Sequence, residues 1–131
     1  MLFLCVHNSA RSQMAEGLLR HAAGERFDVF SAGFEAGSVR PEAIEVMREV
    51  GIDIADQKNK TVEAFAGQPF DLVVTTCDEA KEACPLFPGA KWMLHWSFPD
   101  PAAIGAPDER LKAFRAVRDG LREKVWELAA T

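Results

Sequence analysis

Residues 70–76, FDLVVTT, are apolar or β-branched at nearly every position. A strand that buries one face alternates apolar with polar side chains, so a continuous run points to a strand covered on both faces. Such strands belong to parallel sheets flanked by helices. The rest of the chain repeats the theme. Leu2 to Val6 reads as a second buried strand, Phe27 to Phe30 as another ending in Ser31-Ala32-Gly33, and Trp92 to Trp96 as a fourth. Helical periodicity separates them. Met14, Leu18 and Ala22 share one face ahead of a stop at Gly24. Pro41 suits a first helical position, with Ile44, Met47 and Val50 on a face that Gly51 ends. Thr61 is placed to cap a short helix carrying Val62 and Phe65. Pro107 opens a last helix whose Leu111, Phe114, Val117, Leu121, Val125 and Leu128 form one stripe. This alternation predicts an α/β chain: a three-layer open parallel sheet of four strands with helices on both faces.

The 131 residues suit one domain, 1–131, with no repeat, low-complexity segment or linker. A hydrophobic content of 48 % and a charged content of 27 % are ordinary for a soluble globular chain. A net charge of −5 argues against nucleic acid or an anionic membrane as the partner, while leaving room for a local anion site. Met1 to Val6 is too short an apolar run to span a bilayer, and no basic segment precedes it. Three cysteines make an odd count, which disfavours a fully paired secreted framework and points to a reducing cytoplasm.

In open parallel sheets ligands sit at the carboxyl ends of the strands. That rule gathers Cys5, Ser31, Cys77 and the loop after Trp96 on one edge. Cys5 ends the first strand, and Arg11-Ser12 stands at the start of the helix. A loop of that length, Val6, His7, Asn8, Ser9 and Ala10, can turn its backbone N–H groups inward around a tetrahedral oxyanion, with Arg11 and Ser12 completing the cradle. The helix N-terminus adds its dipole. Arg11 adds a charged fork that grips two oxygens. The same positive field should favour a Cys5 thiolate near neutral pH, and the Ser12 hydroxyl could stabilise it further. Asn8 can adopt left-handed geometry or bond across the loop. His7 reads as loop scaffold or solvated side chain. No glycine–lysine phosphate loop is present, so a nucleotide is not indicated.

Three more residues carry possible chemistry. Asp100 lies in Pro-Asp-Pro, as a turn residue or as a general acid. Cys77 and Cys84 read as core packing, as zinc ligands with His95 at a poor spacing, or as a redox pair serving Cys5. If residues 78–84 are helical, the two thiols stand about 10 Å apart along the axis. A disulfide needs Cα atoms about 4.4–6.8 Å apart. Closing that pair requires the segment to unwind or loop outward. Asn8, Glu16 and Ser31 could hold a monovalent cation, although Glu16 reads more simply as a first-turn charge complementing the helix dipole. Asp78 and Glu79 read as solvated helix-start charges, and Trp92, Trp96 and Trp126 as packing.

The stretch CVHNSARSQMAE at 5–16 resembles the phosphate-loop signature of the low-molecular-weight protein tyrosine phosphatase superfamily. It is similar in particular to the arsenate reductases built on that fold. SAG at 31–33, DLVVTTCDEA at 71–80 and HWSFPDPA at 95–102 extend the resemblance along the chain. The resemblance implies a flavodoxin-like sheet with Cys5 as nucleophile and Arg11 as oxyanion ligand. It further implies Asp100 as general acid and a Cys77–Cys84 shuttle disulfide. The expected substrate is arsenate, with phosphate or sulfate as mimics. The expected reductant is thioredoxin or another thiol, with no cofactor, no metal and a monomeric chain. Ala10 stands where some relatives carry an extra cysteine. Two rival functions remain at this point. A phosphatase would use the same loop, but Ala102 follows Asp100-Pro101 where the phosphatases place an aromatic, and it has no use for Cys77 and Cys84. A thiol trap for arsenite would not need Arg11 or Asp100.

Overall fold

The computed structural model describes residues 1–78 and 87–130. Four parallel strands form one sheet: β1 (Leu2–Cys5), β2 (Phe30–Gly33), β3 (Phe70–Thr75) and β4 (Ala90–His95), in the order β2-β1-β3-β4. Three α-helices are described: α1 (Arg11–Ala23), α2 (Pro41–Arg48) and α3 (Pro107–Ala129). Two short 3-10 turns cover Val62–Phe65 and Pro101–Ala103. This is the α/β architecture that the alternation predicts.

Successive strand residues point to opposite faces, so each central strand contributes to two cores. On one side Phe3 and Val74 pack under Met14, Leu18 and Leu19 of α1, Ala43, Val46 and Met47 of α2, and Phe114, Val117 and Leu121 of α3. On the other, Leu2, Leu4 and Val73 meet Phe65, Phe70 and Phe87. Phe30, Phe65, Phe70 and Phe87 follow one another with ring centroids 5.5 to 6.0 Å apart, a spacing that suits edge-to-face contact. The α2–α3 seam is tied by Glu49, whose carboxylate accepts from Arg115 Nη2 at 2.8 Å and Arg118 Nη1 at 2.7 Å. Those hydrogen bonds, from Arg115 first, draw the Glu49 carboxyl from 4.5 down to about 2.

Several boundaries differ from expectation. β2 begins at Phe30 rather than Phe27 and ends in Ser31, Ala32 and Gly33, because these residues pair one to one with Phe3, Leu4 and Cys5. Phe27 and Val29 instead pack on the core as the chain approaches the sheet. In α1 the buried stripe runs through Ala15, Leu19 and Ala23, and Ala22 is exposed. In α2 the buried face is Ala43, Val46 and Met47, with Ile44 and Val50 at its margin. Thr61 precedes its turn but makes no side-chain cap; its hydroxyl serves the Glu63 carboxylate and lowers that group's pKa. Of the tryptophans only Trp96 packs in the core, 5.8 Å from Phe3. Trp92 is 67 % exposed because β4 is an edge strand, and Trp126 is exposed on α3 under the Arg122 guanidinium at 4.6 Å.

Candidate active site

The carboxyl ends of β1, β2, β3 and β4 carry Cys5, Gly33, Cys77 and His95 to a single edge of the sheet. The loop from Val6 to Ala10 is built there by spending its carbonyls outward. Val6 O accepts from Glu35 N at 2.9 Å, and Ser9 O from Arg40 N at 2.8 Å. His7 O accepts from Asn59 Nδ2 at 2.6 Å, and Asn8 O from Asn59 Nδ2 at 2.9 Å. In a trans peptide the N–H points opposite to the C=O, so the N–H groups of residues 7–10 face the loop's centre. No side chain caps α1, which leaves its first-turn donors directed at the same space. Gly33 is required beside this loop: a Cβ there would stand 2.6 Å from Asn8 N and 2.7 Å from Val6 O.

Asn8 is the hub. It is fully buried with φ of 51°, a left-handed geometry that asparagine tolerates. Its Oδ1 accepts from the Lys60 backbone N at 2.9 Å and from Gln13 Nε2 at 2.7 Å, which fixes the amide's orientation. The amide nitrogen therefore donates to Ser12 Oγ at 2.8 Å and Ser31 Oγ at 2.9 Å. With its oxygen receiving that bond, the Ser12 hydroxyl has its own hydrogen to give to Cys5 Sγ, 2.9 Å away. A hydroxyl aimed at sulfur stabilises a thiolate. Gln13, Asn59 and Lys60 were not singled out in the sequence. Their signal was faint: Gln13 is a polar residue on a buried stretch of helix.

Arg11, only 7 % exposed, donates through Nη1 to Phe98 O at 3.0 Å. That bond joins the oxyanion loop to the segment carrying Asp100. Asp100 itself is exposed, and its Oδ1 accepts from Ala102 N at 3.0 Å, capping the turn at Pro101–Ala103. Cys77 is fully buried and packs in one cluster with Cys5, Val6 and Phe34. Cys84 and Glu79 lie outside the described residues, as does the expected rearrangement between the two cysteines. His7 is on the surface, with Nε2 2.8 Å from Glu35 Oε2.

One expectation for a charged group is corrected and one is borne out. Glu16 lies in the second turn of α1 and is 4 % exposed, not a first-turn charge complementing the helix dipole. Its Oε1 accepts from Ser31 Oγ at 2.5 Å and Lys60 Nζ at 3.4 Å, and its Oε2 from Arg20 Nη1 at 2.7 Å. A carboxylate already met by two cations, facing a serine that Asn8 approaches with its N–H, does not suit a monovalent cation. Asp78 is exposed but tied: its Oδ1 lies 2.9 Å from His95 Nε2 and 3.1 Å from Ser97 Oγ. His95 is thereby engaged with a carboxylate, and among the described residues no group of three or more His, Cys, Asp or Glu side chains is placed to hold a metal ion.

Known proteins share this fold. The arsenate reductase of Halalkalibacterium halodurans is 45 % identical over 130 residues, covering 98 % of this chain and 94 % of that protein. A solved arsenate reductase in the oxidized state superimposes with a TM-score of 0.85 at 34 % identity, covering 98 % of this chain and 95 % of that one. Another, in the phosphate binding state, gives 0.80 at 35 % identity with the same coverage. The family described as low molecular weight phosphotyrosine protein phosphatase matches residues 1–131, and the chain belongs to that family.

Proposed function

We propose that this chain reduces arsenate to arsenite, using Cys5 as nucleophile and Cys77 and Cys84 as the dithiol that takes up the oxidation. The observation that carries this reading is the second buried thiol, Cys77, packed in one cluster with Cys5. A phosphatase has no role for that contact. The resemblance to arsenate reductases over nearly the full chain supports the same reading.

The steps follow from the groups. Arsenate enters the loop, held by inward N–H groups and Arg11. The Cys5 thiolate forms a sulfur–arsenic bond as one arsenate oxygen leaves as water, with Asp100 donating the proton. The Cys77 thiolate then attacks Cys5 Sγ. A sulfur–sulfur bond forms, and the sulfur–arsenic pair goes to arsenic, which leaves as arsenite. Cys84 attacks Cys77, forming the Cys77–Cys84 disulfide and releasing Cys5 as thiolate. An external dithiol, thioredoxin in this proposal, reduces that disulfide.

Arsenate-dependent NADPH oxidation with thioredoxin and thioredoxin reductase tests the scheme. Wild type should turn over. Cys5→Ser, Cys77→Ser and Cys84→Ser should each fall to background, and Arg11→Ala should lose nearly all turnover. Normal turnover by Cys84→Ser would break the relay, and no arsenate-dependent turnover by wild type would return the chain to the phosphatases.

A further inference from the structure

Cys77 is held from both sides. Before it, Thr76 binds Leu4 O twice, through its backbone N at 2.8 Å and its Oγ1 at 2.8 Å. After it, Asp78 meets His95 Nε2 and Ser97 Oγ, both at the far end of β4. His95 is itself seated, with Nδ1 2.7 Å from Thr75 Oγ1. Because the Asp78 carboxylate can only accept, Nε2 carries the hydrogen, and the Thr75 hydroxyl meets the other ring nitrogen. Nothing in the reaction scheme uses this Thr75–His95–Asp78–Ser97 set.

We propose that His95 is a positioning residue for the arsenite-releasing step, acting through Asp78 to hold the Cys77 sulfur in line with the Cys5–arsenic bond. The inference rests on the arsenate-reductase reading. In that step the Cys77 thiolate bonds to Cys5 Sγ, the sulfur–arsenic bond breaks, and its electron pair reduces arsenic(V) to arsenic(III). Two thiols are oxidised to one disulfide, one arsenate is reduced, and no external reductant is consumed. Displacement at sulfur requires attacker, sulfur and leaving atom nearly in a line, and a misplacement of about 1 Å costs about a hundredfold. The residue after Cys77 is the point at which β4 can set that line. The Asp78 carboxylate is 69 % exposed and the His95 ring 22 %, so the tie adds little to stability, and its loss is separable from loss of fold.

Two conservative changes divide the possibilities. A glutamine places its amide nitrogen near the position of histidine Nε2, whereas an asparagine reaches only as far as Nδ1. His95→Gln should keep the donor to Asp78, and His95→Asn should keep only the contact with Thr75. The experiment mixes fully reduced full-length chain with arsenate, without reductant, and follows release of the single equivalent of arsenite. We expect His95→Asn, His95→Ala and Asp78→Ala to release arsenite roughly 10- to 100-fold more slowly. Half-saturating arsenate should be unchanged, and Tm should move by no more than about 3 °C. His95→Gln should lie within about threefold of wild type, since the donor to Asp78 is kept. Equal rates for His95→Asn and His95→Gln, or wild-type rates for all four variants, would overturn the proposal. Cys77→Ser separates it from the reading beneath: arsenite release by Cys77→Ser would sink the relay itself, whereas a dead Cys77→Ser beside unimpaired His95 variants would sink only the role of His95.

Discussion

At the scale of single residues, the site depends on which atom of Asn8 faces where. Lys60 N can only donate, so it claims Oδ1 and turns the amide nitrogen toward Ser12 and Ser31. The Ser12 oxygen accepts from Asn8 and keeps its own hydrogen available to the Cys5 thiolate, 2.9 Å away. Ser12→Ala should therefore remove a donor to the thiolate, worth about 2 kcal/mol for a bond to a charged group. The expected outcome is a fall of about tenfold or more in the rate of Cys5 alkylation by iodoacetamide at pH 7. An unchanged rate would mean that Ser12 only packs. Cys5, Arg11 and Ser12 were legible because a strand, a loop of fixed length and a helix start follow one another directly. The Gln13, Asn59 and Lys60 partners were not. The contacts of Asn59 and Lys60 to Asn8 cross 51 and 52 residues of chain, and Gln13 sits on a helix face that reads as ordinary.

At the scale of elements, α3 and the segment after β4 are fitted to one another at Gly120. A Cβ at that position would stand 2.7 Å from Phe98 Cε1, and the Phe98 carbonyl is the acceptor for Arg11. Gly120→Ala should gain about 1 kcal/mol of helix propensity, yet displace the Phe98 ring. Its kcat/KM for arsenate should fall while Tm holds or rises, and adding Phe98→Leu should restore much of the loss. A fall in Tm with unchanged kcat/KM would contradict this coupling. The helices were legible from their stripes, most fully in α3, where Phe114, Val117, Leu121 and Val125 are all buried. β2 was less so. Its start was expected three residues early, at Phe27, because Phe27 and Val29 are apolar and pack on the core although only Phe30 to Gly33 pair with β1.

At the scale of the whole molecule, alternation of buried runs and helical stripes was enough for a parallel sheet, but not for its order. The fourth strand, expected over Trp92 to Trp96, runs from Ala90 to His95 and is an edge with Trp92 and Leu94 exposed. Composition cannot distinguish an apolar edge from an apolar centre. The sheet order matters for function, because β3 between β1 and β4 sets Cys77 between Cys5 and His95. In the proposed reaction one chain carries both the oxyanion loop and the two electrons that leave it. Among the described residues no helix is long and apolar enough to cross a membrane. The most direct measurement is the stoichiometry of the reduced chain with arsenate in the absence of any reductant. One arsenite should form and two thiols should be lost per chain, with peptide mapping recovering a Cys77–Cys84 disulfide. Unchanged arsenate with all three thiols retained, beside steady hydrolysis of an aryl phosphate, would contradict the proposed reaction.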